Sequence, residues 1–209
     1  MIKQKSFNYK FNDNNDNELN FFVNKTNFYA FNALINNNTK LSFLYGPKNS
    51  GKSYLAKIWL KNNNAIEYKN NYEALINLRD NILIDNLIFN DQEKIFHIVN
   101  NCILNNSKIL VTSDIKINSI DFKFNDLSSR LKTFSNLEIN QPNDEMLLAI
   151  LTKLLVDKQF IIKSNEIFEY ILRRVERSYK GINEVVTKLD ILSLEKKRQL
   201  TIPLIKEIL

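Results

Sequence analysis

Two of the chain's three glycines, Gly46 and Gly51, fall in one eight-residue stretch, Gly46-Pro47-Lys48-Asn49-Ser50-Gly51-Lys52-Ser53. Average glycine usage of roughly 7% would place about fifteen in a chain of 209 residues, so the few present mark positions where no side chain is tolerated. The stretch fits G-x-x-x-x-G-K-[ST] and is set between an apolar run, Leu41–Tyr45, and a segment with apolar residues at helical spacing, Lys52–Lys61. A strand, a glycine-bounded loop and a helix in that order turn backbone N–H groups inward around phosphate oxygens. Gly46, Pro47, Lys48, Asn49, Ser50 and Gly51 form the cradle, Lys52 reaches the terminal phosphates, and the Ser53 hydroxyl is a ligand for Mg2+, with Tyr54 directly after.

The surrounding pattern alternates strands and helices. Strands are expected at Leu41–Tyr45, Ala65–Tyr68, Ile82–Ile84, Lys108–Thr112 and Leu137–Ile139, and helices at Tyr72–Leu78 and Glu93–Leu104 as well as after the loop. This predicts an α/β fold with a parallel five-stranded sheet flanked by helices. After Pro142 only helical spacing remains: Glu145–Lys158, Asn165–Glu176, Ile182–Lys197 and a last helix from Thr201 with Pro203 in its first turn. The division expected is an N-terminal segment over 1–20, a nucleotide-binding domain over 21–141 and a small all-α lid over 142–209. Asparagine clusters such as Asn36–Asn38 and Asn62–Asn64 fall between the periodic segments, where turn residues belong.

Composition narrows the function classes. One cysteine, Cys102, allows no internal disulfide, and the lone His97 removes any His-rich metal site. No run approaches the roughly 20 apolar residues of a membrane span, and the N-terminus lacks a signal-peptide core, so a soluble cytoplasmic protein is expected. The net charge of +6 permits contact with nucleic acid, but it is spread among acidic residues with no basic run and is weak evidence for direct DNA binding.

An acidic residue at the end of a neighbouring strand should hold the magnesium, and Ile82-Leu83-Ile84-Asp85 supplies it. The next residue is Asn86, which cannot accept a proton from an attacking water. General-base assistance is typically worth about 10² to 10⁴ in rate, so intrinsic hydrolysis should be weak.

Some 45 residues precede the phosphate loop and a helical block closes the chain, and this order resembles an AAA+ module. More closely, the chain resembles the DnaA/Hda family, and within it the short regulatory members. Phe21-Phe22-Val23-Asn24-Lys25-Thr26-Asn27 is similar to the segment that borders the adenine, with Asn24 in place of its glycine and with Val23 and Asn27 as implied ligand contacts. Ile84-Asp85-Asn86 is similar to the regulatory members, whereas the initiators have two consecutive acids. Thr112-Ser113-Asp114 resembles the sensor-1 region, where polar groups face the γ-phosphate or water. Asp126-Leu127-Ser128-Ser129-Arg130-Leu131 resembles the element that carries the arginine finger, and Leu200–Leu209 is close to the family's C-terminal end. The resemblance puts Lys180, beside Gly181, at the sensor-2 position, where a lysine keeps the charge without the planar fork of arginine; Arg177 is a nearby substitute.

This resemblance implies an ADP- or ATP-binding protein with Mg2+, in which Asp85 and Arg130 are the catalytic residues and Arg130 acts in trans on nucleotide held by DnaA. It also implies docking on the β subunit of the DNA polymerase III sliding clamp through Gln4, Phe7 and Tyr9, although Lys5 and Asn8 stand where the family has Leu and Pro. The helix-turn-helix domain of DnaA is not expected in this chain, and with it no sequence-specific DNA binding is expected. Monomer and homodimer both stay open, as do two rival functions, an autonomous AAA+ ATPase or helicase loader and a scaffold with a structural nucleotide. The three glycines are expected around one ligand.

Overall fold

The computed structural model describes residues 21–36, 39–76, 78–87 and 91–209. The apolar runs form β1 (Leu41–Tyr45), β2 (Ile66–Glu67), β3 (Ile82–Ile84), β4 (Ile109–Ser113) and β5 (Ser135–Glu138), joined in one sheet of order β2-β3-β4-β1-β5. All pairings are parallel, with Leu41 of β1 opposite Ile109 of β4 and Tyr45 opposite Ser113. β4 lies between β1 and β3, so the C-terminal ends of these three strands, carrying Gly46, Asp85 and Asp114, open side by side.

Helices cover both faces. Side chains alternate along the strands: Phe43, Ile82, Ile84, Ile109 and Val111 face one layer, and Leu44, Leu83 and Leu110 face the other. The first layer holds α3 (Tyr72–Leu75), α4 (Gln92–Leu104) and α5 (Asn125–Leu131), and the second holds α2 (Lys52–Asn62) through Leu55, Ala56 and Trp59. The second layer also takes Ala30 of α1 (Phe28–Phe31) and Leu34 of the π-helical turn that follows it, Asn32–Asn36. The near-continuous apolar composition of β3 and β4 follows from burial on both sides.

The C-terminal helices have their own core. In α6 (Asp144–Asp157), α7 (Glu166–Leu172), α8 (Tyr179–Lys196) and α9 (Ile202–Ile205), residues such as Leu147, Leu151, Ile171, Ile182 and Leu189 close on one another. Asn143 caps α6 by accepting Met146 N–H at 3.0 Å, and Ser178 caps α8 by accepting Gly181 N–H at 3.0 Å.

The elements depart from the sequence expectations at a few ends. α7 stops at Leu172, and α8 begins at Tyr179, because the Ser178 cap places Lys180 and Gly181 inside the helix. β5 lies at Ser135–Glu138, where three of four residues are exposed and the apolar pattern is weak. Five of the seven non-glycine residues with positive φ among those described are asparagines: Asn49, Asn64, Asn70, Asn86 and Asn106. Asparagine tolerates the left-handed region because its short amide bonds locally, and here it fills turn positions that glycine usually takes. No helix among the described residues is long and apolar enough to cross a membrane.

Candidate nucleotide site

The loop after β1 is constrained at both glycines. Gly46 N–H donates to Ser113 O at 3.3 Å, and a Cβ there would stand 2.1 Å from Ile139 O. Gly51, at φ +99°, is the N-cap of α2, in a left-handed conformation that residues with a side chain rarely adopt. Lys52, 7% exposed, folds over the loop: its Nζ donates to Gly46 O and Pro47 O at 2.8 Å each and lies 3.0 Å from Asp114 Oδ1. Ser50 Oγ is buried with no hydrogen-bond partner among the described residues, the kind of orphaned donor that a phosphate oxygen satisfies.

β3 and β4 complete the polar wall. Thr112 Oγ1 donates to Asp85 Oδ1 at 2.5 Å and accepts Asn86 N–H at 2.8 Å, so one hydroxyl fixes both residues at the end of β3. Ser53 Oγ donates to the same Asp85 oxygen at 3.4 Å. A hydroxyl and a carboxylate oxygen facing each other form the hard donor set that suits Mg2+, which would neutralise phosphate charge when bound. No cluster of three or more His, Cys, Asp or Glu is present among the described residues.

These groups line a cavity of about 450 Å³. Lys48, Asn49, Ser50, Gly51, Lys52, Ser53 and Tyr54 contribute the loop side, Asp85 and Asn86 the end of β3, and Lys180 and Tyr179 the lid. Asn27 also lines it, held by donating Nδ2 to Phe22 O at 2.7 Å and accepting Asn24 N–H at 2.9 Å. An aromatic wall runs from Phe21, stacked on Tyr54 with centroids 5.8 Å apart, to Tyr179, 6.4 Å from Tyr54. Burial, helped by the charge of Asp157, raises the pKa of the Tyr179 hydroxyl and keeps it neutral.

The loop and lid also touch directly. Asn49 Nδ2 donates to Glu176 Oε1 at 3.0 Å, and Glu176 sits close because Gly181 has no Cβ, which would stand 2.6 Å from Glu176 O. The third glycine is therefore one contact from the phosphate loop, and what it permits is the approach of the 176–178 turn.

Several anticipated residues stand apart. Val23 is 37% exposed and does not line the cavity, whereas Phe21 and Phe22 do. Gly46 and Pro47 contribute carbonyls to Lys52 rather than cavity surface. Arg177 is engaged by Asp144 at 2.5 Å, and Arg130 is exposed at the last turn of α5, outside the cavity lining. By contrast, all of Thr112, Ser113 and Asp114, the stretch that resembles sensor-1, line the cavity, and Asp114 pairs with Lys52. Gln4, Phe7 and Tyr9 lie outside the described residues. Sequence reasoning missed Pro142, Met146, Ile150 and Tyr179 as cavity residues. Met146 and Ile150, at i and i+4 of an amphipathic helix, carry the same signal as core residues.

The sheet order, the loop and the C-terminal helical lid give the chain a P-loop fold of the AAA+ type. Residues 144–209 match the family model described as Hda, lid domain. An alignment 158 positions long, covering 72% of the chain, is 30% identical to the chromosomal replication initiator protein DnaA of Buchnera aphidicola subsp. Cinara cedri and spans 34% of that protein. Domain III of DnaA from Thermotoga maritima superposes with a TM-score of 0.76 at 18% identity, covering 91% of this chain and 93% of that one. AMPPCP-bound DnaA from Aquifex aeolicus superposes at 0.69 with 18% identity, covering 84% and 65%. The chain is similar to DnaA along most of its length and to the Hda lid domain over residues 144–209.

Proposed function

We propose that this protein is a nucleotide-holding AAA+ adaptor acting in the initiation of DNA replication, which docks on the sliding clamp and stimulates ATP hydrolysis by DnaA in trans. The observation that carries the reading is the separation of Arg130 from the protein's own cavity: it is exposed on α5 and does not line the site that holds Lys52 and Asp85. An arginine so placed serves a nucleotide on another molecule, where such a finger is worth about 10³ to 10⁵ in rate.

Asn86 supports the same reading, since a site with a magnesium carboxylate and no second acid holds nucleotide longer than it consumes it. In this reading residues 21–141 bind ADP or ATP with Mg2+ and residues 142–209 close over it. Lys48 to Tyr54 and Asn27 surround the ligand with Lys180, Gly46 and Pro47 brace Lys52, and Ser53 and Asp85 hold the metal. The AMPPCP carried by the Aquifex aeolicus homologue supports a nucleotide as the occupant. Residues 1–20, with Gln4, Phe7 and Tyr9, supply the clamp peptide, an extended segment that lays apolar side chains into pockets while the glutamine amide sets register.

The test is hydrolysis of ATP held by DnaA on clamp-loaded DNA. Wild-type protein should accelerate it, Arg130→Ala should not, and deletion of residues 1–9 should remove clamp affinity. Equal rates with wild-type and Arg130→Ala protein contradict the proposal.

A further inference from the structure

Phe21 and Phe22 are consecutive, yet they belong to different cores. Phe21 packs in the sheet-side layer and stacks on Phe31 and Tyr54, with centroids 5.9 and 5.8 Å away. Phe22 packs against the lid core, and Lys153 Nζ of α6 lies 5.9 Å from its ring centroid. Both line the cavity. The segment 21–27 is thus a strap across the two layers, with the ligand cavity beneath it.

Asn24 fastens the strap to the lid. Its Nδ2 donates to Asn143 Oδ1 at 2.9 Å, and that oxygen also accepts Met146 N–H at 3.0 Å as the cap of α6. Asn24 Oδ1 accepts Thr26 N–H at 2.9 Å and Thr26 Oγ1–H at 2.7 Å. The reverse amide orientation would set an NH2 group against Thr26 N–H, so the donor end is directed to the lid by its own turn. Thr26 O in turn accepts Asn140 N–H at 3.0 Å, just before Pro142. The helix fixed by this contact presents Met146 and Ile150 to the cavity, facing the wall that Phe21 and Phe22 supply.

We propose that Asn24 is a positioning residue for nucleotide binding: through Asn143 it sets the first lid helix, and with it Met146 and Ile150, against the strap that borders the ligand. A glycine at position 24 could not make this contact. The inference rests on the nucleotide reading above.

The test is a double-mutant cycle on the full chain with Mg-ADP titrated into wild-type, Asn24→Asp, Asn143→Ser and doubly substituted protein. Asn24→Asp keeps the acceptor for Thr26 and loses the donor, and Asn143→Ser keeps a helix cap but is too short to reach Asn24. Each single change should weaken ADP binding by about three- to tenfold, the worth of one hydrogen bond. The double variant should be clearly tighter than the product of the two losses predicts. The part of the charge effect of Asn24→Asp that does not depend on residue 143 cancels in the coupling, while the repulsion between the new carboxylate and Asn143 Oδ1 stays in it and adds to the lost hydrogen bond. Losses that multiply, or single variants with wild-type affinity, overturn the proposal.

Hydrogen exchange on the wild-type protein gives a readout that needs no variant. ADP should slow exchange in residues 22–27 and 144–150 together, and protection of only one of the two overturns the coupling. Failure of the wild-type protein to bind ADP defeats the nucleotide reading and this inference with it. Binding that is abolished by Lys52→Ala and indifferent to Asn24→Asp overturns the inference alone.

Discussion

Lys52 Nζ stands 3.0 Å from Asp114 Oδ1, joining the phosphate-loop lysine after β1 to the carboxylate after β4. The lysine is 7% exposed and the aspartate 20%, so the pair is shielded from water. Removing one partner leaves a buried charge, although the carbonyls of Gly46 and Pro47 still hold the ammonium. Asp114→Asn should therefore destabilise the nucleotide-free protein by about 1–3 kcal/mol, below the usual loss for a fully buried pair. The stabilisation gained on adding ADP should grow in this variant, because phosphate supplies the missing negative charge. Thermal melts with and without ADP check both effects.

Gly46 and Gly181 are intolerant for steric reasons of different severity. A Cβ at Gly46 meets Ile139 O at 2.1 Å inside the sheet domain, and Gly46→Ala should cost about 3 kcal/mol or more. At Gly181 the obstacle is Glu176 O at 2.6 Å, a less severe overlap, so Gly181→Ala should cost about 1–3 kcal/mol and loosen the Asn49–Glu176 contact. Urea unfolding orders the two variants.

Asn86 occupies the position that follows the magnesium carboxylate, with its backbone at φ +59° and its N–H on Thr112 Oγ1. Asn86→Asp keeps a residue type that tolerates this conformation and adds a carboxylate. Intrinsic ATP hydrolysis should rise at least about tenfold, toward the range of general-base catalysis. An unchanged single-turnover rate shows that a second acid is not what this site lacks.

The pH dependence has a defined sign at the C-terminus. Hydrogen bonds from Lys196 and Arg198, with their charges, hold the Glu207 carboxyl below its ordinary pKa of 4.5. A depressed folded-state value stabilises above the unfolded pKa and is lost as pH falls through the folded one. Wild-type protein should lose its advantage over Glu207→Gln only below about pH 4.5, and the two melting curves should converge in stronger acid. A difference that persists unchanged at the acid end contradicts this account.

The sheet and the phosphate loop were legible because β1, β3 and β4 are buried on both faces and write their positions as apolar runs. The loop glycines stand out because, among the described residues, asparagine takes most other left-handed turns. β5 was read one or two residues late because its exposed polar residues carry no such signal. The lid side of the cavity was illegible for another reason. Met146, Ile150 and Tyr179 reach the cavity through tertiary placement of α6 and α8, which local periodicity does not encode. The Asn24–Asn143 contact, 119 residues apart in sequence, and the Lys52–Asp114 pair are likewise products of the fold.

Titration of Mg-ADP into the purified protein, with Lys52→Ala as the control, tests the central claim most directly. The account predicts saturable binding by the wild-type protein and stabilisation of about 2.7 kcal/mol at a hundred times the dissociation constant, both lost in the variant. No binding heat and no shift in melting temperature for the wild-type protein would contradict it.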